Sequence, residues 1–171
     1  MVDRASLAAD FMYLTQFGFE SAPPKTNPEI VNSMVKAVFS VINGDGKITP
    51  RERAWVKGYF ATKGYPEDVV DSIDTMQALP VEDIVALMAE SILRFGANLL
   101  LYDAIRAASA DGKYPDGERT SVTRVAAALG VSSNTVTAIE KLVVEEEELL
   151  ARRVALLFPH GHPNLADRYR R

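Results

Sequence analysis

The stretch Asn43-Gly44-Asp45-Gly46-Lys47-Ile48-Thr49-Pro50-Arg51-Glu52-Arg53 returns 66 residues later as Ser109-Ala110-Asp111-Gly112-Lys113-Tyr114-Pro115-Asp116-Gly117-Glu118-Arg119. Laid at that offset, about Val38–Met76 falls on Ala104–Leu142 without a gap. Asp45, Gly46, Lys47, Glu52, Arg53, Val56, Ala61, Gly64, Val70 and Ile73 then all meet their own kind. Ten matches are several times the roughly 5% per position that average residue usage yields by chance. The repeated unit reads as helix, Asp-Gly-Lys turn, helix, glycine stop, helix. One copy cannot bury its apolar face alone, so two copies should pack against each other.

Working outward, helical periodicity dominates and no segment alternates as a strand does. A first helix covers about Arg4 to Phe17 and stops at Gly18, before a Pro23-Pro24 linker. The second opens at Asn27-Pro28, shows the face Ile30, Met34, Val38 and Val41/Ile42, and ends in the Asn43–Gly46 turn. The third starts at Thr49-Pro50, with Thr49 as N-cap and Glu52 as capping-box partner, and closes at Gly64. Pro66 opens a short fourth helix carrying Val69, Val70, Ile73 and Met76.

Pro80 opens a fifth helix with apolar residues on nearly every face (Ile84, Leu87, Met88, Ile92, Leu99, Leu100, Ile105), which places it at the centre of a bundle with a candidate break at Gly96. The sixth runs from about Pro115 to Leu129. Ser132 caps a long last helix that reaches Phe158, where Pro159 ends it. The fold class predicted is all-α: a single bundle of about seven helices built from two pseudo-symmetric repeats. Residues 1–22 form an N-terminal helix and linker, 23–158 the domain (repeat one about 28–76, repeat two about 94–142), and 159–171 a tail.

Composition removes several function classes. The 171 residues suit one domain, and 47% apolar with 25% charged residues can bury a real core. With no cysteine there is no disulfide, thiol nucleophile, thiolate zinc site or iron–sulfur cluster. The net charge of −4 and pI near 5.2 argue against a nucleic-acid surface. The apolar run from Val81 to Ala108 is interrupted by Glu90, Arg94 and Asp103, so it predicts a buried helix and not a membrane span. The start Met1-Val2-Asp3-Arg4-Ala5 has no basic-then-apolar signal pattern, which predicts a cytoplasmic location.

The motif invites comparison with an EF-hand, since Asp45, Gly46, Ile48 and Glu52 would fall at loop positions five, six, eight and twelve. Position one, however, is Val41 or Ala107, and position three is Asn43 or Ser109. Calcium in such a loop needs six to eight oxygens, and half a loop supplies too few.

A helix ending in an Asp-Gly turn, then Glu on the next helix and a Leu-Gly stop, twice in one all-α chain, resembles the TerB-like family. That is the tellurite-resistance protein B superfamily, which includes the membrane-proximal domain of the DnaJ-like protein DjlA. The second copy carries the resemblance best, with Ala110-Asp111-Gly112-Lys113, Glu118 and Leu129-Gly130. The first departs at Gly44, where the pattern has Ala, and at Lys63, where it has Leu. The resemblance spans about residues 30–142, and His162-Pro163-Asn164 lacks the Asp of a J-domain tripeptide. It implies a helical bundle of two halves, a role in tellurite and chemical-stress response, and either divalent-metal binding or docking to a protein partner in a membrane-associated complex. The residues matching its acidic pattern are Asp45, Glu52, Asp111 and Glu118. No catalytic residues come with it.

Those four carboxylates are candidate ligands for a hard cation such as magnesium, calcium or manganese. The competing reading is structural: Asp before Gly bonds its own turn, and Glu52 is a capping-box acid. Pro115 stands where Thr49 does, so Glu118 has no hydroxyl cap to match. Glu145–Glu148 read as a solvated helix face, because consecutive helical residues point in different directions. His160-Gly161-His162 lies in the tail, as do Arg168, Tyr169, Arg170 and Arg171. Trp55, Tyr59 and Phe60 are candidate core or groove residues. Two alternatives to a stress-response binding module stand: an enzyme or small-molecule carrier with a pocket between the halves, and a homodimerisation element on the long last helix.

Overall fold

A computed structural model describes residues 3–23, 28–44, 46–80, 83, 84, 86, 90–166 and 169, with side chains at 90–95 excepted. Among these residues the chain is helical without strands: α1 (Arg4–Phe17), α2 (Pro28–Ile42), α3 (Pro50–Thr62), α4 (Glu67–Ser72), α5 (Glu90–Ala108), α6 (Asp116–Ala128) and α7 (Ser133–Leu157). The local signals act as read. Thr49 Oγ1 accepts from the Glu52 amide at 3.2 Å while Glu52 Oε2 accepts from the Thr49 amide at 2.6 Å, a complete capping box. Ser132 caps α7 by accepting from the Thr135 amide. Gly18 ends α1 in the left-handed region at φ 70°. The expected Asn27 cap, and Leu87 and Met88, lie outside the described residues.

The core forms around α2 and α5, which pack on each other; α5 also touches α3, α6 and α7. Every residue from Leu100 to Ile105 is buried, as its all-round apolarity predicts. The break expected at Gly96 is absent: α5 runs unbroken from Glu90 to Ala108. An interior glycine costs only about 1 kcal/mol against alanine, and the packing of this central helix overrides it. On α2 the buried line is Val31, Val35, Val38 and Ile42, with Ile30 and Met34 only half-buried. No helix among the described residues is long and apolar enough to cross a membrane.

The two Asp-Gly-Lys turns occupy like positions. Each follows a long buried helix, leads into a thirteen-residue helix, and holds its glycine at positive φ, 83° for Gly46 and 88° for Gly112. The first turn lies directly on the start of α6. A Cβ at Gly44 would stand 2.4 Å from the Gly117 carbonyl oxygen and 2.7 Å from the Glu118 Cα. This contact accounts for the departure from Ala at that position, since only hydrogen fits against a backbone that cannot swing away.

Lys63, the other departure, is also explained. Its side chain is 1% exposed and its Nζ lies 2.5 Å from Asp103 Oδ2 of α5, itself fully buried. Tyr59 donates to Asp103 Oδ1 at 2.8 Å, and the ammonium lies over the rings of Phe17, Tyr59 and Phe60. Burial pushes the Lys63 pKa down and that of Asp103 up, each opposed by the charge of the other. Where the second copy has an apolar Leu129, the first thus inserts a cation that ties α3 to α5.

Two outcomes follow for stability. Asp103→Ala strands the Lys63 ammonium and should cost about 3–5 kcal/mol, whereas Lys63→Met with Asp103→Leu should be near neutral, as for other buried pairs replaced together; urea denaturation reads both. Gly44→Ala should cost about 1–3 kcal/mol by overpacking, while Ala110→Gly should cost less than 1 kcal/mol, the range of a backbone-entropy effect.

Candidate acidic site at the paired turns

Glu52 and Glu118 come from copies 66 residues apart in the chain, yet both side chains are buried and Glu118 lies close enough to act on the titration of Glu52. They are 3% and 1% exposed. The meeting is a consequence of the Gly44 contact, which seats the first turn on the backbone of Gly117 and Glu118. Glu52 is held by its capping box, so its direction is fixed locally. Glu118 heads a helix whose N-cap, Pro115, makes no side-chain cap bond.

Two neighbouring carboxyl groups out of water are disfavoured as a pair of ions. Burial raises the Glu52 pKa above the ordinary glutamate range. The Thr49 backbone and hydroxyl oppose that rise, the negative charge of Asp111 adds to it, and the Glu118 side chain opposes it. Asp111 is half-buried, and its Oδ1 accepts from the Lys113 amide at 2.9 Å, closing the turn on itself. Asp45 lies outside the described residues. The structure therefore brings Glu52 and Glu118 together and sets Asp111 within electrostatic reach. Among the described residues no group of three His, Cys, Asp or Glu side chains stands close enough to hold a metal.

Next to this pair, Tyr114 donates to Glu140 of α7 at 3.1 Å and Arg119 lies over the Tyr114 ring. Burial and the Glu140 charge raise the Tyr114 pKa, so the phenol stays a donor.

The Glu145–Glu148 run is less uniform than a solvated face. Tyr102 donates to both oxygens of Glu146 at 2.8 Å, and Tyr169 donates to Glu147 at 2.9 Å, so that the tail lies back on α7. Glu145 and Glu148 are exposed as expected. His162 Nδ1 accepts from the Asn164 amide at 3.2 Å, a bond local to the tail. Trp55 stacks on Tyr59, and Arg106 lies over both rings and over Tyr102.

Sequence reading missed the Lys63–Asp103–Tyr59 cluster, whose signals were a charge inside the apolar run and a lysine in a leucine position. It also missed a cleft of about 820 Å³ between α1, the end of α3 and α4, where Tyr13, Tyr65, Asp10 and Glu67 are among the lining residues. That cleft is away from the junction of the two turns, which is filled at Gly44.

No protein-family model matches the chain, and no curated protein matches it. Among solved structures, the chain is similar to a tellurite resistance protein from Nostoc punctiforme. The two share 27% identity at a TM-score of 0.79, over 95% of this chain and 99% of that one. This shared fold bears out the resemblance to the TerB-like family over almost the full length of the chain.

Proposed function

We propose that the chain is a binding module of the tellurite-resistance type whose working surface is the junction of its two Asp-Gly turns. The ligand is a hard divalent cation such as magnesium, calcium or manganese. Glu52 and Glu118 would hold it, with Asp111 within electrostatic reach; Asp45 is the matching acid of the first turn by sequence. The observation that carries this reading is the Glu52–Glu118 pair: two acids from separate copies of one motif, buried against each other. Two neighbouring buried carboxyls are costly to keep, and a cation of matching chemistry relieves that cost. The donor set is all oxygen, which selects hard ions.

The mechanism is competition between a proton and a cation. Without metal the pair holds a proton; with metal both carboxylates ionise and the proton leaves, so affinity rises with pH. A protein partner would then read the charge of the loaded or unloaded surface. The similarity to a tellurite resistance protein supports placing that partner in tellurite and chemical-stress response, and the family resemblance implies a membrane-associated assembly for it.

Thermal unfolding measured against magnesium, calcium and manganese tests the site. One of these ions should raise Tm, and by more at pH 8 than at pH 6. Glu52→Gln and Glu118→Gln should each abolish the shift. If no ion raises Tm, or if the shift survives both substitutions, the acids act only in turn and cap. In the absence of metal the pair makes its own prediction. Because folding raises the Glu52 pKa above the ordinary glutamate value of 4.5, the folded state holds a proton that the unfolded chain releases. Stability should therefore fall as pH climbs from about 4.5 through the raised value. Glu52→Gln keeps the capping acceptor and can donate to Glu118, so it should flatten this slope without lowering stability at neutral pH.

A further inference from the structure

The outer face of α7 carries Leu142, Leu149 and Leu156, exposed to 46%, 48% and 81%. They recur every seven residues, so each is set back by only about 20° from the last, and the three form one stripe. The buried residues of this helix, Val136 and Val143, lie on a different face. The tail contact, Tyr169 to Glu147, also lies away from the stripe. Sequence spacing puts one acid and one base on each flank: Glu145 with Arg152 on one side and, on the other, Glu146 with Arg153; Glu146 already accepts from Tyr102 within the copy, so the Glu145–Arg152 flank carries the charge argument. Arg152 and Arg153 are exposed and make no ion pair among the described residues. Glu145 makes only the exposed contact to Lys141 at 3.6 Å.

We infer that this stripe is a homodimer interface in which two copies of α7 pair antiparallel about a two-fold axis through Leu149. The charge order chooses both occupant and direction. An axis at Leu149 sets Leu142 level with Leu156 of the second copy. It also brings Glu145 beside Arg152 of the second copy, and Glu146 beside Arg153 of the second copy, within about one residue of level. Symmetry doubles each pair, giving four. A parallel pairing in register would set like against like on both flanks. The seven-residue period is that of a left-handed two-helix seam, and a self-complementary patch is what a two-fold dimer requires. At 1.5 Å per residue, residues 141 to 157 overlap over about 25 Å of helix.

Sedimentation equilibrium on the whole chain tests this, the expected mass being twice 18.7 kDa. Leu149→Arg should give the monomer mass with unchanged helical circular dichroism, because Leu149 is half exposed within one copy. Glu145→Arg and Arg152→Glu should each weaken dimerisation by about tenfold, two surface pairs being turned to repulsion. The two together should restore it. Since the chain has no cysteine, single introduced thiols report the register. Leu149→Cys should oxidise to a linked dimer, and Leu142→Cys should not. A monomer at every concentration, a dimer that survives Leu149→Arg, failure of the double reversal to restore pairing, or cross-linking through position 142 would each overturn the proposal.

Discussion

Backbone lies on backbone where Gly44 meets Gly117 and Glu118, and the arrangement of the acids depends on that contact. A side chain at position 44 would hold the first turn off the start of α6. Without one, the turn settles until Glu52, already aimed by its capping box, comes to lie beside Glu118. The proximity of two groups that repel when ionised is imposed by packing; the groups themselves do not favour it. Such a site is poised because its neutral form needs a proton and its charged form needs a counter-ion.

A second buried charge cluster stands elsewhere in the bundle and is resolved differently. Lys63 and Asp103 supply each other's counter-ion, Tyr59 fills a further acceptor position, and three aromatic rings surround the ammonium. Complete pairing makes that cluster a structural tie between α3 and α5. The Glu52–Glu118 pair joins acid to acid, which is why it is the candidate for ligand chemistry. Burial alone does not separate the two; the sign of the partner does.

The last helix divides its surface in the same way. Glu146 and Glu147 accept from Tyr102 and Tyr169, which fixes α7 against α5 and holds the tail. The leucines at seven-residue spacing touch none of this and stand in water. An extended apolar line flanked by ordered charges is costly for a single chain to display, and a second copy of the same line is the simplest cover.

Much of the fold was legible because it rests on local physics. The capping box at Thr49 and Glu52, the glycine stops, the Asp-Gly turns and the apolar faces are made by residues three or four apart, which the sequence lists side by side. Doubling of the motif carried the family resemblance, and the central position of α5 followed from having no polar face. Gly96 was misread as a break because a local propensity of about 1 kcal/mol was set against burial that only the assembled bundle supplies. The site was half legible. The four acids stood out as types, but that Glu52 faces Glu118 while Asp111 closes its own turn depends on how two distant segments approach. Lys63 and Asp103, 40 residues apart, read singly as an irregularity in a motif and a charge in an apolar run. Sequence alone determined the helices, their ends and the repeated acids, since hydrogen bonds within one turn decide these. Tertiary structure alone decided which buried charges meet, because desolvation and pairing depend on neighbours that only packing brings together.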